Sequence, residues 1–156
     1  MNRVLLNIVI VMAGLLFPTT TSAQTIALGE RIPHIKKAKW LNGNQPKESD
    51  FIYIEFIHSG STPCRQSVER IYKIVRNFDN TSFVLISHQS ASKIDVWVTN
   101  YINERAGVIV DDHNIRSAFG VNYAPYAVIL DHKHRALWFG NPQLLDEKMI
   151  QKLTTK

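Results

Sequence analysis

Hydrophobic residues along the chain fall into two alternating kinds of run. "FIYIEFI", residues 51–57, is a dense β-branched and aromatic block broken only by Glu55. Such a block predicts a strand buried on both faces, at the centre of a sheet with helices on each side. "SGST" follows, then Pro63, a helix-start signature of capping residues and an early proline. Val68, Ile71, Tyr72, Ile74, Val75 and Phe78 then recur at helical spacing and predict a helix over about 63–77. "SFVLIS" (82–87) predicts the next strand, and "SKIDVWVTNYINER" (92–105) an amphipathic helix. "GVIV" (107–110) predicts a short strand, and "DDHNIRSAFGV" a short helix ending at Gly120. "YAPYAVILD" predicts a strand introduced by Pro125, "DHKH" a tight turn, "RALWFG" (135–140) the return strand, and "LLDEKMIQKL" (144–153) a closing helix. Upstream, "LGERIPHIKKAKWLNGNQPKESD" predicts short strands around Ile32 and at 39–41, with a turn at "NGN". This order is α/β: a mixed sheet with helices on both faces.

The first residues carry a different pattern. "MNR" is a short positive start, residues 4–17 are apolar, and "PTTTSA" ends in small residues, with Thr21 and Ala23 at the −3 and −1 positions before Gln24. That predicts a secretory signal over 1–23, cleaved to leave one domain over 24–156 in the periplasm or outside the cell. The apolar stretch is short of the roughly 20 residues of a membrane-spanning helix, so no span is expected after cleavage. The net charge of +5 is scattered apart from "KKAK" at 36–39. This is a solvated face rather than a nucleic-acid site.

Cys64 is the only cysteine. No internal disulfide can form, so stability must come from the core, and an unpaired thiol in an exported chain is left for intermolecular bonding or stays free. It sits in "HSGSTPCRQS", three residues after Ser61. In the first turn of a helix a thiolate gains from the helix dipole, and burial opposes that. Glu55, inside an otherwise apolar strand, is costly to bury without a partner. It is either a proton-handling group or a carboxylate paired with a lysine across the sheet or reaching solvent. His58, His88, His113, His132 and His134 show no convincing zinc spacing, and neither a metal nor a cofactor is expected.

Three stretches together resemble the thioredoxin fold, and within it the TlpA-like branch of exported thiol–disulfide oxidoreductases. "FIYIEFIHSGSTPCR" is similar to that family's buried strand and W-C-x-P-C-type loop. "AFGVNYAPYAVILDHKHRALWFG" is similar to its FGV-x-x-x-P segment and following hairpin. "LGERIPHI…LNG" is similar to its N-terminal G-x-x-x-P pattern. The motif is degenerate: Ser61 stands at the first cysteine, Gly60 at the preceding tryptophan, and His134 at the hairpin glycine. The resemblance implies a thioredoxin-like fold, a cis peptide before Pro125, and Pro125 close to Cys64. It also implies a carboxylate at Glu55 beneath the active site, able to take the proton of the second cysteine. Cys64, Ser61 and Glu55 are the candidate catalytic residues. Gly60, Pro63, Ala124 and Pro125 are the candidate substrate-binding groove.

Three functions fit. The first is single-thiol exchange, in which Cys64 forms mixed disulfides with an exported protein or a small thiol while Ser61 caps the helix and donates to the thiolate. Two-thiol turnover needs a second, resolving thiol. The second is a redox-inactive module holding an extended peptide by main-chain hydrogen bonds, with Cys64 as a core residue. The third is peroxide reduction, since "STPC" matches the Thr/Ser-x-x-Cys pattern of peroxiredoxins.

Overall fold

The structure is a computed structural model and describes residues 26–32, 35 and 37–155. The proposed signal segment and its cleavage point lie outside the described residues. Among the described residues no helix is long and apolar enough to cross a membrane.

Five strands form one sheet in the order β3-β2-β1-β4-β5. They are β1 (Phe51–Phe56), β2 (Thr81–Ile86), β3 (Ala106–Ile109), β4 (Tyr126–Asp131) and β5 (Ala136–Gly140). β1, β2 and β3 run parallel, and β4 and β5 are antiparallel additions on the other side of β1. The apolar block at 51–57 is thus the central strand. Every residue of β1 except the half-buried Ile52 is buried, as expected for a strand covered on both faces.

Alternation along β1 divides the core. Tyr53 and Ile57 face a cluster built with α1 (Thr62–Val75), α2 (Ala91–Val98) and α4 (Glu147–Leu153). Ile54 and Phe56 face a second cluster with Phe119, Val121, Ile26 and Ile32, beside α3 (Asn114–Ala118). Covering both faces is what a parallel central sheet requires. The Ile71 and Val68 side chains that set the helical period of α1 are fully buried.

Local expectations shift in four places. The helix predicted over 92–105 stops at Val98 and tightens into a 3₁₀ turn, Thr99–Tyr101. There Thr99 Oγ1 donates back to the Asp95 carbonyl at 2.8 Å, a competing bond that disfavours continued α-helix. The predicted N-terminal strands are isolated bridges, Arg31 to Arg135 and Trp40 to Ile109. The "NGN" turn is a 3₁₀ turn, Leu41–Gly43, with Asn42 and Gly43 at positive φ. The closing helix begins at Glu147, capped by the Asp146 side chain, after a separate 3₁₀ turn at Pro142–Leu144.

At the β4–β5 hairpin, His134 occupies the left-handed region at φ 58°. Asp131 holds that turn: its carboxylate accepts from Lys133 N, Arg135 N and the Arg135 guanidinium. A non-glycine residue is kept in this conformation by the surrounding bonds.

Candidate active site

The C-terminal end of β1 runs through Ile57 into "HSGS" and then into α1. Ser61, in extended conformation, is the N-cap, and its Oγ accepts from Cys64 N at 3.3 Å. Pro63 occupies the first turn, where its missing N–H costs nothing. Two long-range ties fix the loop. Gln89 Oε1 accepts from Ser59 N at 2.6 Å, and Gln89 Nε2 donates to Ser59 Oγ at 2.9 Å. Arg65 Nε and Nη2 both donate to Ser59 O, and its guanidinium lies 5.6 Å from the centre of the Trp97 ring.

Cys64 is in the first turn of α1 and is fully buried at 0% exposure. Burial pushes its thiol up. The Ser61 hydroxyl, the His58 backbone and the Arg116 charge pull it back, and the Glu55 charge adds to the rise. Desolvation is the largest influence on this thiol, and the net direction is upward. Ser61 both caps the helix and favours the thiolate.

Glu55 lies on the same face of β1 as Tyr53 and is also 0% exposed. Neither a cross-sheet lysine nor solvent accounts for it. Its Oε2 accepts from Tyr53 OH at 2.6 Å, and Oε1 has no hydrogen-bond partner. Burial raises its pKa from the ordinary 4.5 to about 7, against the lowering effects of Tyr53, Ser67 and Arg70. Ser67 Oγ, one helical turn beyond Cys64, is near enough to bias the carboxyl. Yet neither it nor Oε1 forms a hydrogen bond of good geometry. Arg70 in turn donates to Leu145 O and Pro142 O, tying α1 to the segment before α4. The Glu55 charge acts on the Cys64 thiol, as a smaller influence than burial.

The Ala124–Pro125 bond is cis, as the resemblance implies. Ala124 packs against the same core cluster as Cys64. Tyr123, 55% exposed, and Tyr126 flank the proline with their rings edge to face at 5.3 Å. Gly60 and Pro63 are exposed on the loop and first helical turn. Gly60 N donates to His58 Nδ1 at 3.1 Å.

Several site residues escaped the sequence reading. Tyr53 and Ser67 surround the carboxyl, and their signal was periodicity: Tyr53 is two residues from Glu55 on a strand, and Ser67 three from Cys64 on a helix. Arg116 reaches this end of the sheet from α3, and nothing in its sequence neighbourhood marks it. Among the described residues no three His, Cys, Asp or Glu side chains converge as a metal site. A wide groove of about 1060 Å³, lined in part by Ile52, Ile54, Val84 and Trp40, opens on the other face of the sheet from Cys64. It is not part of this site.

The sheet order, the covering helices, the cis proline and a cysteine at the first turn of α1 define a thioredoxin-like fold. Solved structures agree. The thioredoxin domain of a thiol–disulfide oxidoreductase from Bacteroides vulgatus superposes with a TM-score of 0.68 at 12% identity, covering 84% of this chain and 100% of that one. A thioredoxin-like protein in its oxidised form gives 0.66 at 20% identity, over 82% and 97%. A secreted disulfide oxidoreductase of Mycobacterium tuberculosis gives 0.55 at 15%, over 67% and 79%. No protein-family model matches the sequence, and no curated protein matches it.

Proposed function

We propose that this protein is an exported, single-thiol member of the TlpA-like thiol–disulfide oxidoreductases that carries out thiol–disulfide exchange at Cys64, with Glu55 as the proton acceptor. The observation that carries this reading is Glu55 itself. A carboxyl held at about 7 rather than 4.5 costs the folded protein about 3 kcal/mol at neutral pH. That is a large share of the stability of a domain of this size. What supports the reading is that this strained carboxyl, with Oε1 unpaired, exerts its charge on the only cysteine of the chain. At pH above 7 the carboxylate takes the Cys64 proton. The thiolate attacks a disulfide sulfur, the S–S bond breaks, a mixed disulfide forms, and the other sulfur leaves as a thiolate. No second cysteine resolves the adduct, so release requires an external thiol.

A second reading is favoured by one observation. Cys64 is fully buried, which suits a peptide-binding module whose cysteine is core, with the exposed Tyr123 beside Pro125 as its contact surface. Peroxide reduction rests on the four-residue "STPC" pattern alone.

The test is to incubate the chain with a small disulfide and assay insulin reduction alongside. Wild type is expected to trap a one-to-one mixed disulfide by mass and to show no turnover without added thiol. Ser61→Cys restores the pair and should gain turnover. Absence of any adduct, together with an inert Ser61→Cys variant, would favour the binding module.

A further inference from the structure

Each of the three parallel strands delivers a histidine to the same edge of the sheet. His58 follows β1, His88 follows β2, and His113 follows β3 at the start of α3. Their rings form a row: His58 and His88 are 5.5 Å apart between centroids, and His88 and His113 are 6.1 Å apart. Loop bonds hold the row. Ile57 N donates to Ile86 O, Ser87 N to Ile109 O, and Asp112 N to Ser87 O, at 2.9, 2.9 and 3.2 Å. The carboxyl edge of parallel strands is where α/β sheets place ligands.

The ring nitrogens are polarised in one sense. Gly60 N donates to His58 Nδ1, so Nδ1 of that ring is the acceptor and Nε2 carries the hydrogen. Arg116 Nη1 lies 3.5 Å from His88 Nδ1, and a guanidinium can only donate, so His88 is in the same tautomer. Both rings therefore have an Nε2–H left to offer. Arg116 adds a fixed positive charge, felt as far as the Cys64 thiol. His58 and His88 are half-buried and His113 is exposed. The nearby acids are engaged. Asp112 accepts from the Ile115 and Arg116 backbone amides at the start of α3, and Asp111 pairs with Lys39.

We propose that His58, His88, His113 and Arg116 form a carboxylate-binding subsite beside Cys64, selecting small disulfides that carry a carboxylate a few bonds from sulfur. That such a disulfide then reacts at Cys64 rests on the function proposed above, but binding of the carboxylate does not. The subsite holds the anion by N–H donors and one guanidinium. Bound there, the disulfide presents a sulfur to the thiol: the Cys64 proton passes to the Glu55 carboxylate, a bond forms between Cys64 Sγ and that sulfur, the S–S bond of the ligand breaks, and R–S⁻ leaves with its own carboxylate. Cys64 is oxidised and the departing half is reduced.

Three disulfides sharing one two-carbon skeleton separate the possibilities: 3,3′-dithiodipropionate (anionic), 2-hydroxyethyl disulfide (neutral) and cystamine (cationic). Binding is read first, in Cys64→Ser, from the NMR signals of the histidine rings at slightly alkaline pH. The dianion is expected to shift the signals of His58, His88 and His113 saturably and to bind about tenfold more tightly than cystamine. His88→Asn and Arg116→Gln should each erase most of that preference. Equal responses to dianion and dication, or ring signals that the dianion does not move, would overturn the subsite. Adduct formation in wild type is read second. Dianion binding without an adduct leaves the subsite standing and removes thiol exchange. Equal binding of all three disulfides, together with an adduct in wild type, removes the subsite and leaves thiol exchange standing.

Discussion

Two carboxylates are buried in the two central antiparallel strands, near opposite ends of the sheet. Asp131 pairs in register with Phe51 at the start of β1, and Glu55 pairs with Ala127 near its finish. Asp131 is 5% exposed and Glu55 is 0%. Burial pushes both up, but only one stays up. Four donors meet Asp131: Lys133 N at 2.8 Å, Arg135 N at 2.9 Å, Arg135 Nε at 2.8 Å and Arg135 Nη2 at 2.7 Å. They hold its carboxyl below the usual aspartate range. Glu55 has one donor for two oxygens and rises to about 7. Burial alone therefore does not decide what a carboxylate is for. Saturated with donors it is a structural clamp on a turn, and left half-satisfied its proton equilibrium moves toward neutral pH, which is what the proposed role of Glu55 requires.

The largest effect should come from breaking the clamp. Asp131→Ala removes the four side-chain bonds that brace the hairpin turn and leaves His134 at positive φ with only the backbone bonds between Asp131, His134 and Arg135. A loss of about 3 kcal/mol is expected in urea unfolding at neutral pH. Because the folded-state pKa of Asp131 is depressed, its contribution is complete above the ordinary aspartate range and disappears as pH falls through the lowered value. The variant should therefore show a weaker loss of stability in acid than wild type does.

Glu55 should behave with the opposite sign. Its folded-state pKa is raised, so no penalty exists below about 4.5, where folded and unfolded forms are both protonated. The penalty grows as pH rises to about 7 and is constant above that. Glu55→Gln should flatten this slope and stabilise the protein by up to about 3 kcal/mol above pH 7. If instead Glu55→Gln follows the wild-type profile, the carboxyl is not held protonated. Tyr53→Phe is the smallest change. It removes the one hydrogen bond to Glu55 at a cost of about 1 kcal/mol, and it should move the midpoint of the pH slope above 7, because that bond favours the ionised form.

Much of this contrast is legible in the sequence. The 51–57 block and the periodic helix after Pro63 located the sheet and Cys64, since burial on both faces and 3.6-residue spacing are local signals; the cis bond before Pro125 followed only from the resemblance to the thioredoxin-like family. The oddity of Glu55 was visible too, as the one charge in an apolar strand. Its partner was not, because Tyr53 reads equally well as an ordinary aromatic of a buried strand. Asp131 likewise reads as a turn residue, and only the folded hairpin returns Arg135 onto it. The histidine row was hidden for a different reason. Its members are far apart in sequence, and only the parallel register of β1, β2 and β3 brings their ends to one edge. The early end of α2 rests on a side-chain bond from Thr99 that periodicity does not register.

The central claim is that Glu55 serves Cys64, and the most direct measurement is the rate of Cys64 alkylation by a small neutral reagent against pH, in wild type and in Glu55→Gln. Wild type should show a limb of reactivity rising near pH 7, where Glu55 ionises, below a second limb in the raised range of the buried thiol. In Glu55→Gln the limb near 7 should vanish, and the remaining inflection should move down, because a nearby negative charge has been removed. Superimposable profiles for the two proteins would contradict the account.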